Sequence, residues 1–181
     1  MQSSIVRQSI RAGACAAVLA LAVPAAGVFA ARHTGHHATA PHWLVVNAKS
    51  HTATLTLIAA YNNNLGGFNF NGYSNGKMVI TVPLKYRVNV AFQNKGTAKH
   101  SALFTPYSDR NKTINYPMAF RGASSPNPSQ GTANGKTVKF SFVVNKTGTY
   151  ALVCAVPGHE VAGMWDTLKV TSGGNASLSF H

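Results

Sequence analysis

Cys154, His159 and Met164, three side chains that bind soft metals, stand within eleven residues near the end of this chain, in the spacing Cys-x4-His-x4-Met. They follow directly on the apolar run Tyr150 to Cys154, which reads as a strand. Whatever fold the chain adopts must therefore end a strand at a thiol, turn tightly and bring an imidazole and a thioether back beside it. Pro157-Gly158 supplies such a turn, since proline sets one dihedral and glycine permits the reversal. Gly163 allows the backbone to re-enter closely before Met164.

A thiolate, an imidazole and a thioether suit an ion that cycles between Cu(I) and Cu(II). A His2Cys site with a weak axial methionine needs one more histidine from elsewhere. His100 is suitably placed, just past the alternating segment Arg87 to Phe92. The expected metal ligands are thus His100, Cys154, His159 and Met164, around one copper ion. Ligands divided between one tight loop and a distant segment make a nearly rigid cage, which limits rearrangement when an electron arrives or leaves.

The rest of the chain is patterned for strands. Trp43 to Val46, Ala53 to Ala60, Met78 to Val82, Arg87 to Phe92, Val138 to Val144 and Met164 to Val170 are short apolar or alternating runs. Turn signals lie between them: Gly66-Gly67, Asn71-Gly72, Asn75-Gly76, Pro126-Asn127-Pro128 and Asn134-Gly135. No segment has helical periodicity over a useful length. The pattern predicts an all-β, antiparallel sandwich or barrel. Residues 106–135 read as a polar excursion of irregular structure or a short helix, and residues 172–181 as a frayed tail.

The spacing excludes several alternatives. A multicopper oxidase flanks its type 1 cysteine with histidines, whereas here the flanks are Val153 and Ala155. A binuclear copper site needs two cysteines, and zinc prefers more cysteine or histidine to methionine. Three acids, Asp109, Glu160 and Asp166, assemble no paired-carboxylate or Ser-His-Asp machinery. The chain is not expected to be an enzyme.

Residues 1–30 resemble an export signal: Arg7 and Arg11, an uncharged Ala-rich run from Ala12, then Val28-Phe29-Ala30 as a cleavage site. Twenty residues without charge also leave a retained membrane anchor open. Residues 31–41, with His33, His36 and His37, read as a linker, and 42–181 as the folded domain. Cys15 falls within the signal, so Cys154 has no intramolecular disulfide partner. Sixteen Lys and Arg face three acids, but the lysines are scattered, unlike a nucleic-acid surface. Scarce acids leave few paired carboxylates to lose at low pH, which points to an acidic extracytoplasmic space; a basic surface also suits an acidic redox partner.

Taken together, these residues resemble a family. The chain looks like a blue copper protein of the cupredoxin class and is similar to the sulfocyanins, with ligand spacing close to that of rusticyanin. The resemblance covers roughly residues 66–171. It rests on Phe68-Asn69-Phe70-Asn71-Gly72-Tyr73, Lys99-His100-Ser101, Phe120-Arg121-Gly122-Ala123 with Pro126-Asn127-Pro128, and above all on Val153 to His159 with Ala162 to Trp165. It implies a Greek-key β-sandwich with one type 1 copper on His100, Cys154, His159 and Met164. It also implies a monomeric periplasmic or otherwise extracytoplasmic carrier in the respiratory chain of an acidophile. Such a carrier works between an upstream donor and a cytochrome or terminal oxidase. Ser101 is a candidate for hydrogen bonding across to the cysteine loop. The alternatives are a copper carrier or storage protein, or an accessory copper domain of an oxidase complex.

Overall fold

The computed structural model describes residues 42–181; the stretches read above as signal and linker lie outside the described residues. Nine strands follow in order: β1 (Leu44–Asn47), β2 (Thr52–Ala59), β3 (Met78–Pro83), β4 (Arg87–Asn94), β5 (Leu103–Pro106), β6 (Thr137–Val143), β7 (Gly148–Val153), β8 (Trp165–Thr171) and β9 (Ser177–Phe180). Each expected run became a strand. In β4 the alternation places Val88, Val90 and Phe92 in the core and leaves Asn89 and Ala91 outside.

The strands form two sheets, in the orders β1-β2-β4-β6 and β5-β7-β8-β3-β9. Their inner faces meet over one apolar core in which Leu55, Leu57, Phe92 and Phe142 of the first sheet face Ile80, Phe104, Leu152 and Leu168 of the second. Most neighbours run antiparallel, as expected. Two pairs, β2 with β4 and β3 with β8, run parallel. The reason is topological. The chain leaves β2 for β3 in the opposite sheet and returns as β4, and a strand regained through a crossover lies parallel to its predecessor.

Two segments are more ordered than their composition suggested. Residues 172–181 are not a frayed tail, because β9 pairs with the edge of β3 from Met78↔Phe180 to Thr81↔Ser177, and Phe180 stacks on Tyr73 at 4.4 Å. The polar excursion after β5 begins as a short 3-10 turn at Tyr107–Asp109 and then returns along β5. Phe104 and Ser125 donate backbone hydrogen bonds to Ala123 and Ala102, and Phe120 stacks face to face on Phe142 at 5.6 Å. A few apolar anchors in a polar stretch were enough to pin it, and it becomes one wall of the site.

Candidate metal centre

Strand order brings the sequence-predicted residues together. β5, β7 and β8 are adjacent and antiparallel, and the register aligns Leu103, Val153 and Trp165 across one end of the sheet. His100 comes just before β5, Cys154 directly follows β7, and Met164 directly precedes β8. All three therefore emerge at the same edge. The loop between β7 and β8 returns His159 to that edge, closed by Cys154 N–H donating to Met164 O at 3.1 Å and Met164 N–H to His159 O at 3.0 Å. Gly163 takes φ +97, and a Cβ there would lie 2.7 Å from Asn75 Oδ1 and 2.9 Å from Leu65 Cδ1. The close re-entry expected before Met164 is thus a packing requirement.

Cys154 Sγ lies 3.3 Å from His159 Nδ1 and 3.9 Å from His100 Nδ1, and the two nitrogens are 3.2 Å apart. A circle through these three atoms has a radius of about 2.0 Å, the distance at which imidazole nitrogen binds a first-row ion. Among the described residues this is a cluster of His and Cys able to hold a metal. Met164 is fully buried in the same core cluster as Cys154. Two imidazoles, one thiol and a neighbouring thioether in a closed, mostly buried space form a donor set that fits one type 1 copper ion.

Ser101 ties the two halves of the site. Its N–H donates to Cys154 Sγ at 3.3 Å, and its hydroxyl oxygen accepts the Ala155 N–H at 2.9 Å. The expectation that this serine reaches the cysteine loop is met. His100 is held at its backbone by Thr132, which exchanges hydrogen bonds with it at 3.2 and 2.6 Å. Thr132 belongs to the long excursion, so the excursion positions a donor it does not contain.

Burial sets the protonation of the donors. His100 is pushed down from 6.5 to about 4, by burial first and then by the neighbouring His159. Burial also lowers His159, and it raises the Cys154 thiol against the opposing pull of N–H groups from Ser101 and Val156. Both imidazoles are neutral at pH 7 and ready to donate a lone pair, while the thiol must surrender its proton to bind.

Two features of the site were not assigned from sequence. Buried Asn94 donates through Nδ2 to Ala98 O and Thr132 O and accepts the Gly96 N–H, shaping the loop that ends at His100. Phe68 sets its ring edge-on to both imidazoles, 4.8 Å from His159 and 6.1 Å from His100. A lone asparagine at a strand end carries no sequence signal. The paired aromatics and asparagines of residues 68–71 were visible as a motif, but nothing in the string tied them to the histidines.

Residues 38–179 match the family model of the Sulfocyanin (SoxE) domain. The chain is 29% identical over 133 residues to a sulfocyanin from Sulfolobus acidocaldarius, covering 70% of this chain and 67% of that protein. Among solved structures, a reduced auracyanin from Roseiflexus castenholzii is 20% identical, with 65% of this chain and 96% of that one covered and a TM-score of 0.49. Rusticyanin from Thiobacillus ferrooxidans is 18% identical, with 71% and 86% covered and a TM-score of 0.43. The family model spans most of the chain, including both segments that supply the donor atoms, and the chain belongs to the sulfocyanin family of blue copper proteins.

Proposed function

We propose that the protein carries single electrons outside the cytoplasmic membrane, holding copper through His100, Cys154, His159 and Met164. The observation that carries this reading is the buried triangle of two imidazole nitrogens and one sulfur, sized for one ion. Bound copper would supply the Cu(I)/Cu(II) couple. The chain's own part is to hold the donors still. Cys154 and Met164 are fully buried, His100 is 2% exposed, and the Ser101 bonds join the segment leading into β5 to the cysteine loop. Donors so enclosed also argue against a carrier that hands copper on readily.

The partly exposed His159 is the route for the electron, and the exposed apolar side chains of Val161 on the same loop and Leu65 beside Gly163 offer a partner a surface from which water is readily excluded. A basic surface favours an acidic partner face, a cytochrome or terminal oxidase on one side and an upstream donor on the other. We assign the respiratory chain of an acidophile, a monomeric state and export through residues 1–30 on the same footing. The deciding experiment is optical. The copper-loaded protein should turn intensely blue with an oxidant and colourless with a reductant, and Cys154→Ala should abolish the colour. A blue Cys154→Ala protein would contradict the assignment.

A further inference from the structure

A great deal of structure is committed to one short turn beside the metal centre. Asn69 and Asn71 are 0% and 1% exposed, and buried amides are tolerated only when their hydrogen bonds are made. Asn69 makes four: Oδ1 accepts from the N–H groups of Tyr61 and Gly72, and Nδ2 donates to the carbonyls of Asn62 and Asn64. Asn71 accepts the Ile58 N–H at 2.6 Å and donates to Thr56 O at 2.9 Å, which locks the turn to β2. Phe70, between them, is fully buried against Phe92. What this clamp presents toward the site is Phe68.

A cavity of about 280 Å³ lies behind that ring, lined by Asn62, Gly66, Gly67, Phe68, Gly96 and His100 among others. Gly96 sits against the Nε2 edge of His100, where an added Cβ would approach to 3.0 Å. The cavity therefore already reaches one imidazole. It does not reach His159, whose ring is covered by Phe68 at 4.8 Å. A polar space with room for several waters next to a redox ion is a hazard, because water or a small anion entering the coordination sphere adds a ligand whose rearrangement accompanies every electron.

We propose that Phe68 is a positioning and selectivity residue, the partition that keeps small anions and water in this cavity from reaching the copper. The inference rests on the electron-carrier reading above. Its ring packs against both imidazoles, and the two asparagines, with Phe70 anchored in the core between them, hold it there. The site is thereby confined to electron transfer without a fifth, exchangeable ligand.

Azide is the probe, added to the oxidised copper-loaded protein while the visible absorption and electron paramagnetic resonance spectra are followed. The series is wild type, Phe68→Leu, Phe68→Val and Phe68→Ala. Wild type should not respond. The variants should acquire a saturable spectral change whose apparent affinity rises as the side chain shrinks, by at least about tenfold from Phe68→Leu to Phe68→Ala. A blue wild type with variants as inert to azide as itself overturns the partition and leaves the carrier reading intact. So does a wild type that binds azide freely, or a series in which every variant loses copper, since Phe68 is then a structural support. A wild type that never becomes blue overturns the carrier reading instead.

Discussion

Ser101 holds Cys154 from two directions: its N–H points at the sulfur at 3.3 Å, and its side-chain oxygen accepts the N–H of the next residue, Ala155, at 2.9 Å. Ser101→Ala leaves the first bond and removes the second, so a buried amide loses its partner. We expect a stability loss of about 1–3 kcal/mol, measured by denaturant unfolding of the copper-loaded protein. The blue band should persist, because no metal donor is removed. Unchanged stability would mean that the Ala155 N–H is satisfied elsewhere.

Met164 stands beside Cys154 with a weak donor whose sulfur supports Cu(II) more than Cu(I). Met164→Leu conserves volume and removes the sulfur. Copper should still bind, and the reduction potential should rise, because loss of a donor penalises Cu(II) more than Cu(I). Redox titration of the two proteins checks this, and equal potentials would remove Met164 from the ligand set.

Proton release on metal binding follows from the donors' protonation. At pH 7 the thiol of Cys154 is protonated, since burial raises it, whereas both histidines are already neutral because burial lowers them. Uptake of copper should therefore release about one proton per ion, from the thiol alone. Calorimetric titrations in buffers of different ionisation heat measure that number. A count near zero or near three would contradict the protonation scheme.

Asp166 makes stability respond to acid. Its side chain is fully buried, with Oδ1 accepting the Met78 N–H and Oδ2 without a hydrogen-bond partner among the described residues, and burial pushes it up from 3.8 to about 8. A folded carboxyl that holds its proton more tightly than the unfolded chain favours folding as pH falls. The gain should accumulate between about pH 8 and pH 4 and then level off, and Glu160 contributes in the same direction. Asp166→Asn, which imitates the protonated group, should remove this contribution from the profile. It should exceed wild type by at least about 1.4 kcal/mol at pH 8, one pKa unit's worth, and match it near pH 4. Parallel unfolding curves at both pH values for the two proteins would refute this. Scarce acids alone would leave acidification with little effect; the burial of Asp166 adds a contribution that favours folding as pH falls, opposed in the copper-free protein by the buried neutral His100 and His159 below about pH 6.5.

Asn94 offers a test of how the first histidine is placed. Asn94→Ala frees the carbonyls of Ala98 and Thr132 and the N–H of Gly96, all within the cradle of His100. We expect a loss of about 2–4 kcal/mol in the copper-free protein, since several buried groups lose partners at once. A shifted blue band should report a displaced imidazole. A stability loss with an unaltered spectrum would confine Asn94 to a scaffolding role.

Much of this molecule could be read before any coordinate was known. Alternation of the kind seen in Val88, Val90 and Phe92 has one stable outcome, a strand with one face buried, and Cys-x4-His-x4-Met after such a strand is local enough to state its own chemistry. The weakly patterned pieces could not be read. β5 is only four residues long, and β9 lies in a segment whose composition resembles a loose terminus; both exist because a neighbouring edge was there to pair with them. The same holds for the site. Which residues carry soft donor atoms is a matter of the chain alone, because a thiol or an imidazole is chemically the same wherever it falls. That Leu103, Val153 and Trp165 align, and so deliver His100, Cys154 and Met164 to one edge, depended on strand order. So did the placing of Phe68 beside two histidines 32 and 91 residues further along. Contacts of that range are set by the balance of burial and hydrogen bonding over the whole sandwich, which no local stretch of residues encodes.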